Sequence, residues 1–445
     1  MFGRAGPDDF RRAGPENFRR AGPEDPPEVF IVRSLFLAAA CVAAAAVSTQ
    51  TSTPPVTSIA VSQRSAANAS IAARGPLVVV AFSASAGSGE TDVFVAVSHD
   101  GGRTFGAPSR VNDLPGDARV NGEQPPRVAL RDQRIIVVWT SKGPKGTRLL
   151  QAQSDDGRTF TRAALVPGSD AAGNRGWENA DATYAVWLDH RELAQDESTM
   201  TTMHHEHASA SKPDGVAMAQ KSKLFFASLD GTLAPHAVTG GVCYCCKTAL
   251  AESADGSIYL AWRHVYPGNF RDIAFTLSRD GGKTFAPPLR VSEDKWMLEG
   301  CPDDGPAMAI DAQRRVHLVW PTLVAGDAGG EPSVGLFYAT SADGRAFTPR
   351  ERVPTQAVAH HPQIVIGADG APVMAWDESQ NGTRRIVVAR RRAADAGAKA
   401  GGTIARDVIA DAGVYPALAV AGETTVVAWT SGKTDSTIAV RRLER

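Results

Sequence analysis

Sulfur-bearing and imidazole side chains gather in short stretches of this chain, and these residue types bind soft metal ions. One stretch has two methionines three positions apart, followed by three histidines: Met200, Met203, His204, His205 and His207. A second stretch holds three cysteines, and a fourth follows further along: Cys243, Cys245, Cys246 and Cys301. Thiolate, thioether and imidazole form a soft ligand set that favours Cu(I) over hard cations, with Zn(II) as the second candidate. The pattern therefore predicts a metal site, with copper as the first choice.

The same residues have a structural interpretation that the sequence leaves open. Cysteines of exported proteins usually pair, and the four that follow Cys41 are an even number. Cys243 or Cys246 bonded to Cys301 would join two neighbouring loops. The adjacent Cys245 and Cys246 could instead form a vicinal disulfide, which would be a stiff platform for a ligand. The histidine stretch is equally compatible with a solvated surface loop.

The overall composition excludes some classes of partner and favours a β-rich fold. Lys plus Arg (47) nearly cancels Asp plus Glu (48), which argues against a nucleic-acid partner or an anionic membrane surface. The 445 residues are 43% hydrophobic, which is ample for a core, and they include 42 glycines and 28 prolines. Such a composition suits many short strands joined by tight turns.

A short motif returns at loosely even spacing and indicates how the chemistry-bearing residues are positioned. Full copies are SHDGGRTF and SRDGGKTF, shorter copies are SDDGRTF and SADGRAF, and a degenerate copy begins at Ser228. Each lies between an apolar run and a short strand, which predicts a hairpin turn with side-chain oxygens bonded to backbone N–H groups, glycines at positive φ and a Phe packed on the sheet. The structural positions are Ser98, Asp100, Gly102, Phe105, Ser154, Asp156, Phe160, Ser278, Asp280, Gly282, Phe285, Ser341, Asp343 and Phe347.

Seven segments then repeat one plan of strand, turn, strand ending in an aromatic residue, loop and strand. The aromatic residues are Phe82, Trp139, Trp187, Trp262, Trp320, Trp376 and Trp429. The last segment lacks a fourth strand, and residues 56–61 form a lone strand at the opposite end that would close the ring and remove exposed edges. The sequence predicts an all-β, seven-bladed β-propeller, with six blades as the alternative.

The repeated turns resemble the Asp-boxes, or BNR repeats, of the sialidase-like propeller superfamily, and the resemblance covers residues 56–445. The CYCC and GCPDDGP segments also resemble a Cys-x-Cys-Cys and Cys-Pro-x-x-Gly-Pro pair found in exported propellers of the sialidase type. The resemblance implies that these two segments act together, but it supplies no reaction, because this superfamily includes many proteins that are not sialidases.

Through the resemblance, an exo-sialidase type of glycoside hydrolysis becomes an alternative to metal binding. That chemistry needs arginines that clamp a substrate carboxylate, an acid, and a tyrosine nucleophile with its base. The candidates are Arg127, Arg263 and Arg271 for the clamp, and Asp377, Glu378 and Tyr415 for the chemistry. Each is also compatible with a loop residue or a rim ion pair, so a glycan- or protein-binding module without catalysis is a third possibility.

The topology of a four-stranded blade places these residues on one face. Loops that join the second strand to the third, and loops that lead into the first strand, emerge at the same end of a propeller. The histidine stretch, the four cysteines, Arg263 and Arg271 all fall in or beside such loops of neighbouring segments. His360-His361-Pro362 leads into the sixth segment at this end and either adds to the rim or forms a simple turn.

The first part of the chain predicts export. Residues 1–31 are an octapeptide repeat rich in charge, Pro and Gly, expected to be disordered or untranslated. Residues 32–48 have the pattern of a secretory signal too short for a membrane span, residues 49–55 form a linker, and the propeller follows from 56 to 445. Cys41 raises lipidation as an alternative. We expect a periplasmic or extracellular monomer that binds a metal ion or a glycan.

Overall fold

The protein is described from a computed structural model over residues 55–119, 122–143, 146–170, 174–193, 215–298, 302, 304–324, 332–391 and 403–443. These residues form seven antiparallel sheets of four strands each. The chain is thus a seven-bladed β-propeller, which confirms the predicted fold and excludes the six-bladed alternative. No helix in the described ranges has the length and hydrophobicity needed to cross a bilayer.

Six blades are built from four consecutive strands each. Blades one to three are β2 (Arg64–Arg74), β3 (Leu77–Ala86), β4 (Thr91–Ser98) and β5 (Ser109–Arg110); β6 (Arg127–Arg131), β7 (Arg134–Gly143), β8 (Gly146–Ser154) and β9 (Ala164–Leu165); β10 (Asn174–Ala180), β11 (Tyr184–Asp189), β12 (Lys223–Ser228) and β13 (His236–Gly240). Blades four to six are β14 (Ala249–Glu252), β15 (Ile258–Tyr266), β16 (Phe270–Ser278) and β17 (Leu289–Arg290); β18 (Ala307–Ile310), β19 (Val316–Val324), β20 (Ser333–Ser341) and β21 (Glu351–Arg352); β22 (Val358–Ile366), β23 (Pro372–Gln380), β24 (Thr383–Arg391) and β25 (Ile404–Ala410). A short helix, α1 (Gly215–Lys221), lies between β11 and β12.

The seventh blade joins the two ends of the propeller. It consists of β26 (Val414–Ala421), β27 (Thr424–Ser431) and β28 (Thr437–Leu443), and its fourth strand is β1 (Thr57–Ile59). Thr57 pairs with Val440 and Ile59 pairs with Ile438 in an antiparallel ladder. The predicted closure of the ring is confirmed: β1 pairs with β28 and completes the four strands of this blade.

Buried aromatic residues of the second strands form the core between blades. The prediction that these strands end at the aromatic residue is wrong, because β7 continues from Trp139 to Gly143 and β15 from Trp262 to Tyr266. Six of the seven are tryptophans with exposed fractions of 2% or less. Trp139 of blade two, for example, packs in one cluster with Val93 and Val95 of blade one. Because each large side chain contacts the neighbouring blade, burial of apolar surface holds the blades to one another as well as within themselves.

The repeated turns between third and fourth strands are held by their own side chains. Ser98 Oγ accepts a hydrogen bond from the Gly102 amide at 2.9 Å, and Asp100 Oδ1 accepts one from the Thr104 amide at 2.9 Å. Hydrogen bonds from Thr104 hold the pKa of Asp100 well below its ordinary value. Gly282 occupies the equivalent position of another turn at a φ of 83°, a conformation that glycine adopts without strain. These residues fix the turn geometry.

Three of the innermost strands contain a β-bulge, which the alternation of residues in the sequence does not reveal. In β2, β22 and β26 the pairing register shifts at one place, and a non-glycine residue at each shift has a φ of 54°. These residues are Asn68, His361 and Tyr415. A bulge of this kind re-aims a side chain relative to the regular alternation of a strand. All three residues lie around the axis of the propeller, where the functional site is found.

Candidate functional site

The three bulge residues line a cavity on the propeller axis, which we call the axial cavity. Its volume is about 170 Å³. The polar residues of its wall come from innermost strands and the loops that lead into them: Asn68, Ser70, Glu123, Arg127, Asn179, Lys247, His361, Gln363 and Tyr415. A small site with several charged and hydrogen-bonding groups in its wall suits a polar ligand better than an apolar one.

His361 is fixed by carboxylates on two sides. Its Nδ1 atom lies 2.5 Å from Oδ1 of Asp377, and its backbone amide donates to Oδ1 of Asp304 at 3.0 Å. Burial lowers the pKa of His361, but the hydrogen bond with Asp377 and the charge of nearby carboxylates outweigh burial and raise it above its ordinary value. The imidazole is therefore held in one orientation, and its protonated form is more stable than that of an ordinary histidine.

Tyr415 lies beside His361, with 4.2 Å between the ring centroids. The backbone amide of Tyr415 donates to Asp377 at 3.4 Å, so one carboxylate holds parts of both residues. A Cβ atom added at Gly122 would lie 2.8 Å from the Tyr415 hydroxyl. The phenol of Tyr415 thus contacts Gly122, where a larger side chain would collide with it.

A buried ion pair forms another part of the cavity wall. Lys247 Nζ lies 3.1 Å from Oε1 of Glu123, and both side chains are 5% exposed or less. The Gly305 amide donates to Oε2 of Glu123 at 2.9 Å, and Lys247 Nζ also donates to the Pro362 carbonyl at 2.8 Å. Groups from three loops and from strand β22 therefore meet at this pair, which fixes the wall of the cavity and compensates both buried charges.

Three cysteines lie together in the loop that ends in Lys247, and we call Cys243, Cys245 and Cys246 the cysteine cluster. Their sulfur atoms all lie within 4.8 Å of one another, and the residues are buried. Helix α1 packs against this loop through Val216, Met218 and Ala219. The loop that carries the cysteines reaches the axial cavity through Lys247.

The bonding state of the cluster corrects the expected disulfides. Cys243 and Cys246 are free thiols, whereas Cys245 is disulfide-bonded. Neither a bond from Cys243 or Cys246 to another cysteine nor a vicinal bond between Cys245 and Cys246 is formed. Cys243 and Cys246 instead contact each other through sulfur atoms 3.7 Å apart. The loop directs both thiols inward, so that they meet each other under α1.

Cys243 and Cys246 differ in their electrostatic surroundings. A hydrogen bond from Cys246, with Arg271 and Arg263 nearby, lowers the pKa of Cys243. The Nη1 atom of Arg271 donates to the sulfur of Cys243 at 3.1 Å. Burial and the neighbouring Cys243 raise the pKa of Cys246. The cluster therefore places a stabilised negative charge on one sulfur atom beside a fixed guanidinium group.

The expected arginine clamp is wrong, because two of its three members are already engaged. Arg263 donates to the carbonyls of Asp304, Arg271 and Pro321, and it is 1% exposed. Arg271 is fully buried and donates to the Leu298 carbonyl and to Cys243. Only Arg127 lines the axial cavity. Side chains from β15 and β16 point between blades, which keeps these two guanidinium groups away from the axis.

The neighbouring carboxylates on β23 point to opposite sides, as alternation along a strand requires. Asp377 faces His361 and Tyr415. Glu378 accepts hydrogen bonds from Arg385 at 2.8 Å and from the Gln356 amide at 2.7 Å, and it also pairs with Arg406. Of the predicted glycosidase residues, the structure brings Arg127 and Tyr415 to the wall of the axial cavity. Asp377 is buried behind that wall, against His361 and Tyr415, while Glu378 belongs to an ion cluster with Arg385 and Arg406.

Several predicted metal ligands lie outside the described residues: Met200, Met203, His204, His205, His207 and Cys301. Cys41, the possible lipidation site, also lies outside them. Sequence reasoning singled out His361 only as a rim residue, and it missed Asn68, Glu123 and Lys247. Lys247 directly follows the cysteines, and Glu123 lies in the loop that leads into blade two, so their loop positions were a usable signal.

Some solved structures are similar to this chain at low sequence identity. No protein-family model and no curated protein matches the chain. A protein of unknown function from Dyadobacter fermentans is 14% identical, with a TM-score of 0.49 over 88% of this chain and 98% of that one. The GH93 α-L-arabinofuranosidase of Fusarium graminearum is 13% identical (TM-score 0.49, 87% and 97%), and the leech intramolecular trans-sialidase is 11% identical (TM-score 0.44, 85% and 68%). These likenesses do not assign the site.

Proposed function

We propose that the protein is a glycoside-hydrolase-like propeller that binds one sugar ring in the axial cavity. The observation that carries this proposal is the pair of His361 and Tyr415, which lie side by side in the cavity wall on strand bulges. Sugar hydroxyls need several donors and acceptors at close range, and the wall offers amide, carboxylate, imidazole and phenol groups.

The size of the cavity supports a small ligand. Pockets for drug-sized molecules have volumes of roughly 300–1,000 Å³, whereas the axial cavity has about 170 Å³. Such a volume suits a terminal sugar ring better than an extended oligosaccharide. The engaged state of Arg263 and Arg271 favours a neutral sugar over a sialic acid, whose carboxylate would meet Arg127 alone among the three expected arginines.

The arrangement also supports proton transfer to a bound ligand. An imidazole with a raised pKa is a general acid near neutral pH, and its orientation by Asp377 would keep one ring nitrogen directed away from that carboxylate. Tyr415 is the neighbouring hydroxyl group, and Glu123 is the carboxylate of the wall. Hydrolysis of a glycosidic bond is therefore the reaction to test first. If no hydrolysis occurs, sugar binding without catalysis is the part of the proposal that is left to test.

The test combines calorimetry with neutral and sialic monosaccharides and hydrolysis of the corresponding nitrophenyl glycosides. We expect binding of one neutral sugar, with a loss of about tenfold or more in His361→Gln and in Tyr415→Phe. Tyr266→Phe is the matched control, because its buried hydroxyl lies outside the cavity and has no hydrogen-bond partner in the described ranges. Equal binding by all three variants, or no sugar bound at all, would refute the proposal.

A second candidate function is the binding of a soft metal ion, and the contact between two buried free thiols favours it. Cys243 and Cys246 are the proposed ligands, with Cu(I) first and Zn(II) second, since thiolates prefer soft ions. The predicted contribution of the methionine and histidine stretch and of Cys301 stays a prediction. So does export through the signal at residues 32–48.

Copper stoichiometry tests the second candidate. The purified protein is loaded with Cu(I) without oxygen, dialysed against a competing chelator, and compared with a Cys243→Ser variant. Retention of one copper ion by the parent and its loss by the variant is the expected result. Other cysteines of the chain can also bind copper non-specifically, so a count of total thiols does not identify the site. The control variant is Ser58→Ala, which changes an exposed residue away from the cysteine cluster. Copper lost equally by parent and variant would eliminate this candidate.

A further inference from the structure

The three sulfur atoms of the cysteine cluster nearly form the triangle that three thiolates make around one metal ion. With metal–sulfur bonds of roughly 2.3 Å, three sulfur atoms in a plane around an ion lie about 4.0 Å apart. The Cys243 sulfur lies 3.7 Å from that of Cys246 and 3.8 Å from that of Cys245, and the sulfur atoms of Cys245 and Cys246 lie within 4.8 Å of each other. The positions are therefore close to those of a three-coordinate site, although one of the three sulfur atoms is in a disulfide.

The surroundings of the cluster suit an anionic complex. One Cu(I) ion bound by three thiolates carries a net charge of minus two. Arg271 donates to the Cys243 sulfur at 3.1 Å, and Arg263 is held beside Arg271 by a hydrogen bond of 2.7 Å to the Arg271 carbonyl. Two guanidinium groups would balance this charge in the protein interior, where an uncompensated charge is costly.

A second observation points to a group that Arg271 has yet to contact. The Nη2 atom of Arg271 is buried and has no hydrogen-bond partner in the described part of the chain. Buried donors of charged groups nearly always have a partner, because leaving one unpaired costs free energy. A further thiolate in the cluster would add negative charge beside this guanidinium.

We propose that the cysteine cluster is a redox-gated site for a soft monovalent metal ion, with two sulfur ligands while Cys245 is disulfide-bonded and three once that disulfide is reduced. This inference rests on the second candidate function, since it requires that Cys243 and Cys246 bind the ion. The inference adds Cys245 as a third ligand, available only after its disulfide has been reduced. The protein would then bind the ion tightly in a reducing environment and weakly in an oxidising one.

The gating step needs a dithiol as reductant. One thiolate of the dithiol attacks the disulfide of Cys245, and its second thiol closes the reductant into a ring disulfide. The S–S bond of the protein breaks, Cys245 and its former partner gain one proton each as thiols, and two electrons pass from the dithiol to the protein. A Cu(I) ion then replaces the protons of three thiols and forms three sulfur–copper bonds.

The experiment compares the oxidised protein with protein that has been treated with a dithiol and freed of it without oxygen. Each form is titrated with Cu(I), and with Ag(I) as a soft ion that does not change oxidation state, against a chromophoric chelator. X-ray absorption then counts the sulfur ligands of bound copper. We expect two sulfur ligands in the oxidised form and three in the reduced form, with affinity at least about tenfold higher after reduction.

Variants separate the gate from the site. Cys245→Ser should bind with two sulfur ligands and equal affinity before and after reduction, while Cys243→Ser should bind weakly in both forms. Far-ultraviolet circular dichroism and the urea midpoint establish that each variant is folded. If the parent binds with the same affinity and sulfur count in both forms, the gate is wrong and the metal site stands. If the parent binds no ion in either form, the metal site itself is wrong.

Discussion

The Nδ1 atom of His361 and the Oδ1 atom of Asp377 lie 2.5 Å apart across two adjacent strands of blade six. The carboxylate is buried and the imidazole is 7% exposed. This contact ties the innermost strand to the second strand at the site of a bulge. It holds in place the one imidazole of the axial cavity wall, and its strength depends on the charge of that imidazole.

Stability should therefore depend on pH through His361. Its pKa in the folded protein is raised, so the pairing with Asp377 stabilises the fold fully below the ordinary pKa of histidine, about 6.5, and the stabilisation is lost as the pH rises through the raised value. We expect the free energy of unfolding of the parent to exceed that of His361→Gln by more at pH 5.5 than at pH 8.5. Urea unfolding at both values measures the difference, and a gap that widens with pH would contradict the assignment.

Loss of one partner from the Glu123–Lys247 pair should be strongly destabilising. Replacing Lys247 by Met leaves the Glu123 carboxylate buried beside the Gly305 amide without its compensating cation. Removal of one member of a buried pair costs about 3–5 kcal/mol in the free energy of unfolding. The combined replacement Glu123→Gln and Lys247→Met should recover part of that loss. Chemical unfolding compares the variants, and a single replacement no more harmful than the double one would contradict the pairing.

Two glycines with similar backbone angles should respond differently to alanine. Gly256 and Gly282 have φ values of 78° and 83°. A Cβ atom at Gly256 meets nothing within 4 Å, whereas one at Gly282 would lie 2.4 Å from the buried ring of Phe226. Gly256→Ala should cost only the backbone strain of about 1–2 kcal/mol. Gly282→Ala adds overpacking and should cost about 3 kcal/mol or more. Equal urea midpoints for the two variants would show that the turn does not press on Phe226.

Closure of the ring should depend on one buried side chain of β1. Ile59 is 3% exposed and packs with residues of blades one and seven. Ile59→Ala should reduce the free energy of unfolding by about 2–5 kcal/mol, because it leaves a cavity between the joined ends. Val56, which is 46% exposed, provides the control substitution Val56→Ala. Thermal unfolding checks both, and a comparable shift in the two variants would mean that β1 contributes little.

The blade count was predictable because each blade repeats the same local chemistry. A turn with fixed Ser and Asp positions and an aromatic residue in a buried strand are visible in the sequence without knowledge of distant contacts. The last segment has three strands in the sequence, so completion of its blade by β1 was also predictable. Local patterns of this kind survive in a single sequence because period-two strands and tight turns constrain the residues directly.

The axial cavity could not be predicted in the same way. Asn68, His361 and Tyr415 reach the cavity through bulges, and a bulge depends on pairing with the neighbouring strand. The expected arginine clamp failed for a related reason, since the carbonyls that engage Arg263 come from loops of the next blade and from β19. Loop position indicated which end of the propeller to inspect, but the direction of each side chain is a property of the assembled ring.

The joint between β1 and β28 also determines how the protein would respond to tension. Thr57 faces Val440, so the chain enters β1 and leaves β28 at the same end of their antiparallel ladder. Pulling the flanking segments apart would therefore apply force in the unzipping geometry, in which the backbone hydrogen bonds of the ladder break one after another. In the shear geometry they would bear the force together. The ring would open mechanically at blade seven, at a force set by single hydrogen bonds, while the other blades keep their strands.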